Sequence, residues 1–232
     1  MKDNTSLQTY KNYTNGVFDR DKAILNAKKA KCEIITTETI LNVPIPQDFF
    51  GEYSWLNDII KSTSIVTLSE SRGRTDDYTY GEVGHAIIIK DANIYNRIIC
   101  DPVFGKYKEV MLINGSLVMT LREHYKNIQG ALICVHNHPG NSSFSYNDIV
   151  HLLSCVEVGA IAVVGNTSWL YVLSKNTLNV QYYKKIASNM RREFAKRIGL
   201  SLNEDQVKHE IAKNFLENCN NNGFTYSKYK RR

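Results

Sequence analysis

No stretch of the 232 residues stays apolar over the roughly 18 positions that a membrane-spanning helix requires, which excludes a helical membrane protein. The opening MKDNTSLQTYKNYTNG lacks the apolar core of a secretory signal, so we expect a cytoplasmic protein. Cysteine is sparse and unpatterned. The five residues Cys32, Cys100, Cys134, Cys155 and Cys219 are odd in number and include no Cys-x-x-Cys pair, which argues against a disulfide framework and a structural zinc knuckle and for reduced, mostly buried thiols. His-Glu-x-x-His is also missing, and there is no internal repeat. What remains is ordinary for a globular chain: 43% hydrophobic and 22% charged residues, enough for one good-sized domain with additions. The charge is uneven. From Lys184 onward 12 Lys and Arg face 5 Asp and Glu, so this last segment carries net +7 while the whole chain carries +6.

The most specific stretch begins with the apolar run Ala131 to Val135 and continues through His136-Asn137-His138-Pro139 to Ser145-Tyr146-Asn147-Asp148. On a strand, alternate side chains share a face, which sets His136 and His138 side by side with Cα atoms about 6.5–7 Å apart. Pro139 suits the exit from a sheet, and Gly140-Asn141-Ser142-Ser143 supplies turn residues. Ser145-x-x-Asp148 reads as a capping box, and Ile149, Leu152, Leu153 and Val156 keep the spacing of a buried helical face. A carboxylate in that first turn can point back at the imidazoles. Two histidines and an aspartate leave the fourth tetrahedral position open, the pattern of a catalytic zinc site. Each half alone has a plainer meaning, a surface histidine pair and a helix cap.

Around this stretch the patterns are those of an α/β protein. Residues 21–31 read as a short helix, 33–41 as a strand rich in Ile and Thr, and Val43-Pro44-Ile45-Pro46 as an extended strap. Trp55, Leu56, Ile59 and Ile60 have helical spacing, and 71–77 reads as a polar loop. Residues 86–89 and 94–100 form a predicted hairpin about the turn Asp91-Ala92-Asn93. Asn114-Gly115 marks another tight turn, 116–127 a helix, and 160–164 and 169–173 two further strands. Beyond Gln181 two helices are predicted, 183–198 and 204–218, followed by a frayed end. Their basic bias offers nucleic acid or an acidic protein as partner, and equally suits a solvated helical cap.

A zinc hydrolase needs a base for its water, and Glu82, immediately before the 86–89 strand, is placed to supply it. The order Glu82…His136-x-His138-Pro139…Ser145-x-x-Asp148 resembles the JAB/MPN+ (JAMM) metallopeptidase signature, and His-Asn-His-Pro is typical of its RadC-like and other prokaryotic members. The resemblance covers residues 80–175. It implies a mixed β-sheet flanked by helices, leaving 1–79 as an N-terminal extension and 176–232 as a basic, helical C-terminal segment. It further implies zinc bound by His136, His138 and Asp148, Glu82 as general base, and Ser145 as donor to the oxyanion. Family members with this set cleave peptide or isopeptide bonds, often with a lysine amine as leaving group, so a protein or peptide substrate is expected. One departure stands out: residues 140–144 give five positions between Pro139 and Ser145, where the family pattern has six. Glu109 and Glu123 are competing carboxylates, and His85, His124 and His151 read as structural or surface histidines.

Other readings are weaker. Cys134 shares a strand face with His136, which invites a thiol protease. His-Asn-His is contiguous and lacks the further histidine of an HNH nuclease finger. Ser62-Thr63-Ser64 hints at an ADP-ribosyltransferase, but no Glu-x-Glu or Gln-x-Glu follows. A scaffold without turnover is opposed by the intact ligand set. A RadC-like or phage-associated DNA-linked protein, gripping phosphate with the basic tail, is the main alternative to an enzyme.

Overall fold

The computed structural model describes residues 20–74, 76–89, 97–107, 109–112, 121, 123, 128–167, 169–200 and 203–230. Seven strands form one mixed sheet: β1 (Val83–Ile89), β2 (Arg97–Ile99), β3 (Val103–Phe104), β4 (Leu132–His138), β5 (Val158–Gly165), β6 (Trp169–Lys175) and β7 (Phe224–Lys230), of which β3 and β7 were not expected from the sequence. Their order is β2-β1-β4-β5-β6-β7, with β3 also pairing to β1. Every pairing is antiparallel except β4 with β5, which run parallel through a helical crossover. Both faces of β1, β4 and β5 are buried, which explains why these strands read as nearly continuous apolar runs rather than alternating ones.

Helices cover both faces. On one side α1 (Arg20–Lys29), the short α2 (Thr37–Leu41) and α3 (Trp55–Gly73) precede the sheet; Leu56, Ile59, Ile60 and Leu68 of α3 pack on Ile87, Ile133, Val135 and Ala162. On the other, α4 (Tyr146–Ser154), α5 (Val180–Ile198) and α6 (Glu204–Asn218) bury Ile149, Leu152, Tyr183, Met190 and Ile211 against Cys134, Ile161, Val163 and Leu173. The expected α/β class with a mixed sheet between helices is thus present.

Several local expectations change. Residues 33–41 do not form a strand: the Thr36 hydroxyl accepts the Thr39 N–H at 3.0 Å and starts α2, a cap that overrides the β-propensity of the Ile and Thr run. The loop expected at 71–77 begins later, because α3 runs to Gly73 and both Ser71 and Arg74 are buried. The frayed C-terminus is in part the edge strand β7, held along its whole length by β6. Within the 94–100 strand, β2 occupies Arg97–Ile99, while the turn at 91–93, Asn114-Gly115 and most of the 116–127 helix lie outside the described residues. No helix among the described residues is long and apolar enough to cross a membrane.

Candidate metal centre

Strand alternation sets Cys134, His136 and His138 on the sheet face that carries α4, and Ile133, Val135 and Asn137 on the opposite face. His138 ends β4, at the carboxyl end of a parallel strand pair, where open α/β sheets form their crevices. The chain returns through 140–144 to Ser145, whose hydroxyl accepts the Asp148 N–H at 3.2 Å while Asp148 Oδ2 accepts the Ser145 N–H at 2.7 Å. This reciprocal cap fixes the aspartate rotamer.

The loop that is one residue short of the family pattern nevertheless brings the aspartate home. It is pinned at three points: Phe144 is buried, Tyr171 Oη donates to the Asn141 carbonyl at 2.9 Å, and His138 Nδ1 lies 3.1 Å from the Ser142 carbonyl. His136 Nε2 and His138 Nε2 are 3.1 Å apart, and Asp148 spans them, Oδ1 3.3 Å from the first and Oδ2 3.4 Å from the second. One donor atom from each residue lies within 4.8 Å of the others, so the three side chains can hold a metal ion.

Their electrostatics are coupled. Burial alone would pull His138 down, but the Asp148 hydrogen bond and charge, with Glu82 behind them, outweigh it and raise His138 to about 8. Burial would likewise raise Asp148, yet the two histidines hold its carboxyl well below the usual range. An entering metal therefore displaces a proton from His138. Because the Ser142 carbonyl can only accept, Nδ1 of His138 carries hydrogen, so Nε2, the nitrogen facing Asp148, is the one that would bind a metal once its proton is displaced.

Glu82 joins this group from the turn before β1. It is 6% exposed, and burial raises its carboxyl pKa, opposed by His136 and His138 and reinforced by Asp148. A glutamate raised in this way is a better base. Its backbone is anchored on every side: its N–H donates to the Lys106 carbonyl at 2.8 Å, and its carbonyl accepts from Gly105 N–H at 2.9 Å and from Arg74 Nη1 at 3.2 Å. Two residues earlier Tyr80, buried, has φ +66°, a left-handed conformation that costs a non-glycine residue about 1–3 kcal/mol.

A cleft of about 190 Å³ opens beside His136 and Asp148, between residues 109–112 and α4, with Leu112, Cys134 and Ile161 as apolar wall. Glu109 stands exposed at its side, and Glu123 is exposed. Cys134 is buried and its thiol pushed up to about 12, chiefly by burial, which removes it as a nucleophile. His85 faces α3, its Nδ1 2.9 Å from Thr67 Oγ1, and His151 lines the cleft beside Cys155; His124 lies outside the described residues. Ser62-Thr63-Ser64 lies inside α3.

Sequence reasoning passed over Asn137, Ser142 and Arg74. Asn137 had a signal: it is the polar residue in the otherwise apolar alternation Ile133, Val135, Asn137, and it is 0% exposed. No family model, curated protein or solved structure matches the chain.

Proposed function

We propose that this protein is a zinc-dependent metallopeptidase of JAMM type, hydrolysing a peptide or lysine-linked isopeptide bond. The observation that carries the reading is the convergence of three side chains beside a buried glutamate: the two imidazole Nε2 atoms 3.1 Å apart, with one Asp148 oxygen 3.3 Å from His136 and the other 3.4 Å from His138. A tetrahedral zinc ion with bonds of about 2.0–2.1 Å needs donor separations of about 3.3–3.4 Å; His136, His138 and one oxygen of Asp148 would supply three such donors and leave the fourth position open. Zinc bound there supplies a Lewis acid that lowers the pKa of water to about 7 and polarises the scissile carbonyl.

The chain's own groups do the rest. Glu82 takes the proton of the attacking water as the C–O bond forms, and returns it to the amine as the C–N bond breaks. Ser145 accepts a hydrogen bond from Asp148 N–H and keeps its own O–H to donate to the oxyanion. The adjoining cleft, apolar at Leu112, Cys134 and Ile161, suits an aliphatic side chain or lysine stem next to the scissile bond.

Metal analysis with a cleavage assay tests this reading. About one zinc per chain, lost in His138→Ala but kept in Glu82→Gln, with cleavage of a lysine-linked peptide abolished in both, is the expected result. Folded wild type that takes up no zinc contradicts it. A second reading rests on α5, whose solvent side exposes Lys184, Lys185, Arg191, Arg192 and Lys196 against Glu193. There the protein grips nucleic acid phosphate, and salt-sensitive DNA binding abolished by reversing those charges is its test.

A further inference from the structure

The residue between the two histidines is more than a spacer. We propose that Asn137 is a positioning residue that sets Glu82 against the metal-binding histidines, and that Asn166 and Ser71 hold it in that role. The assignment rests on the hydrolase reading above.

The argument begins at the end of the β1–β4 ladder. Gly84 pairs with His136, the last register pair between the two strands, and beyond it the chain carrying Glu82 leaves β4. The Asn137 amide continues the ladder in place of backbone. Its Oδ1 accepts the Val83 N–H at 2.7 Å and its Nδ2 donates to the Gly81 carbonyl at 3.1 Å, so one side chain clasps the backbone on both sides of Glu82. The amide orientation is not free: Val83 N–H can only donate and the Gly81 carbonyl only accept. The second hydrogen of Nδ2 goes to Asn166 Oδ1 at 2.8 Å. Asn166 is oriented in turn, because its Nδ2 donates to two carbonyls, Tyr80 at 3.2 Å and Glu33 at 3.0 Å. Ser71 Oγ donates to the Gly81 carbonyl at 2.7 Å.

All three polar side chains are 0% exposed, and the amides of Asn137 and Asn166 have both nitrogen and oxygen bonded. A satisfied buried network of this kind specifies one arrangement. Strand alternation makes the coupling direct: His136 and His138 share the face that meets Asp148, while the residue between them, rigidly the same strand, points to the opposite face and holds the Glu82 backbone. The network also reaches the N-terminal layer. Glu33 N–H donates to the Pro139 carbonyl at 2.7 Å, and Ser71 belongs to α3, so residues preceding the sheet complete the support of Glu82.

The full-length chain carrying Asn137→Leu, similar in volume and matching the apolar alternation, tests the assignment, with Ser71→Ala as a milder second variant. Three quantities are measured: zinc per chain, hydrogen exchange of the Val83 amide against that of Ile87 in the same ladder, and kcat and KM on a quenched fluorescent lysine-linked isopeptide. We expect zinc binding to persist near one per chain and the Val83 amide to exchange at least tenfold faster relative to Ile87. We expect kcat to fall about 100-fold in Asn137→Leu with KM within about threefold, since misplacement of a catalytic group by about 1 Å has that effect. Ser71→Ala moves the same readouts less and decides the matter if the leucine variant does not fold. Unchanged Val83 exchange, or zinc lost in step with kcat, overturns the assignment. Wild type that binds zinc but cleaves nothing sinks the hydrolase reading instead, and the exchange readout still reports whether Asn137 clasps this backbone.

Discussion

The proposed mechanism gives Ser145 two separable duties, and substitution can divide them. As N-cap its hydroxyl accepts the Asp148 N–H at 3.2 Å; as the proposed catalytic donor the same hydroxyl would give its hydrogen to the oxyanion. Ser145→Ala removes both. Loss of the cap costs about 0.5–2 kcal/mol, which for a chain of this size lowers Tm by a few degrees. Loss of one oxyanion donor costs about 2.7–4 kcal/mol of transition-state stabilisation, a fall in kcat of about 10²–10³. Zinc is retained, because the bond that orients Asp148 runs from the Ser145 backbone N–H at 2.7 Å and survives in alanine. Ser145→Gly restores most of the cap, falling short by a few tenths of a kcal/mol, yet loses kcat to the same extent. Ser145→Thr retains both. Urea melts and turnover on the same preparations read the two duties independently. An alanine variant destabilised by the cap energy, with kcat within threefold of wild type, reduces Ser145 to a helix start and refutes the reasoning.

Zinc bound as proposed would stabilise the fold: at about 100 times its Kd, a ligand specific to the fold adds about 2.7 kcal/mol, and differential scanning calorimetry should show Tm raised by about 5–10 °C, an increase absent in His138→Ala. His85 sets a pH dependence. Burial lowers it to about 4 from an unfolded value near 6.5, so the unfolded chain binds the extra proton in that window and stability falls by roughly 3 kcal/mol from pH 6.5 to 4; urea melts of His85→Gln should lose this slope. At Gly105 a Cβ would sit 1.9 Å from the Glu109 carbonyl oxygen, backbone that cannot yield cheaply, and Gly105 N–H is itself an anchor of Glu82. Gly105→Ala should therefore lower both stability, by about 1–3 kcal/mol in a urea melt, and kcat, with zinc content unchanged by metal analysis.

The ligand-bearing unit was legible because its signals are local. A continuous apolar run, a proline exit, turn residues and a capping box all fall between Ala131 and Leu153, and each has a physical meaning independent of the rest of the chain. The support of Glu82 was not, because its partners come from elsewhere: Asn137 meets Gly81 across 56 residues and Asn166 across 29, and no periodicity announces such contacts. The same holds for Ser71 and Arg74, which look like loop residues in sequence and are buried because the backbone around Glu82 needs their donors. β7 escaped notice since Lys228 and Lys230 suggest a solvated tail, while pairing of Tyr226 with Leu173 and Tyr229 with Leu170 draws the segment into the sheet.

The parallel β4–α4–β5 unit also orders the making of the site in time. The three residues that could hold a metal lie within 13 positions and are brought together by one crossover, whereas Glu82 stands 54 residues before His136. Short loops close sooner than long ones, so if the site works as proposed a folding chain would gain its metal-holding group before the base that uses it. On the proposed reading an immature protein would be able to take up metal yet remain inert until the Gly81–Val83 backbone docks on Asn137.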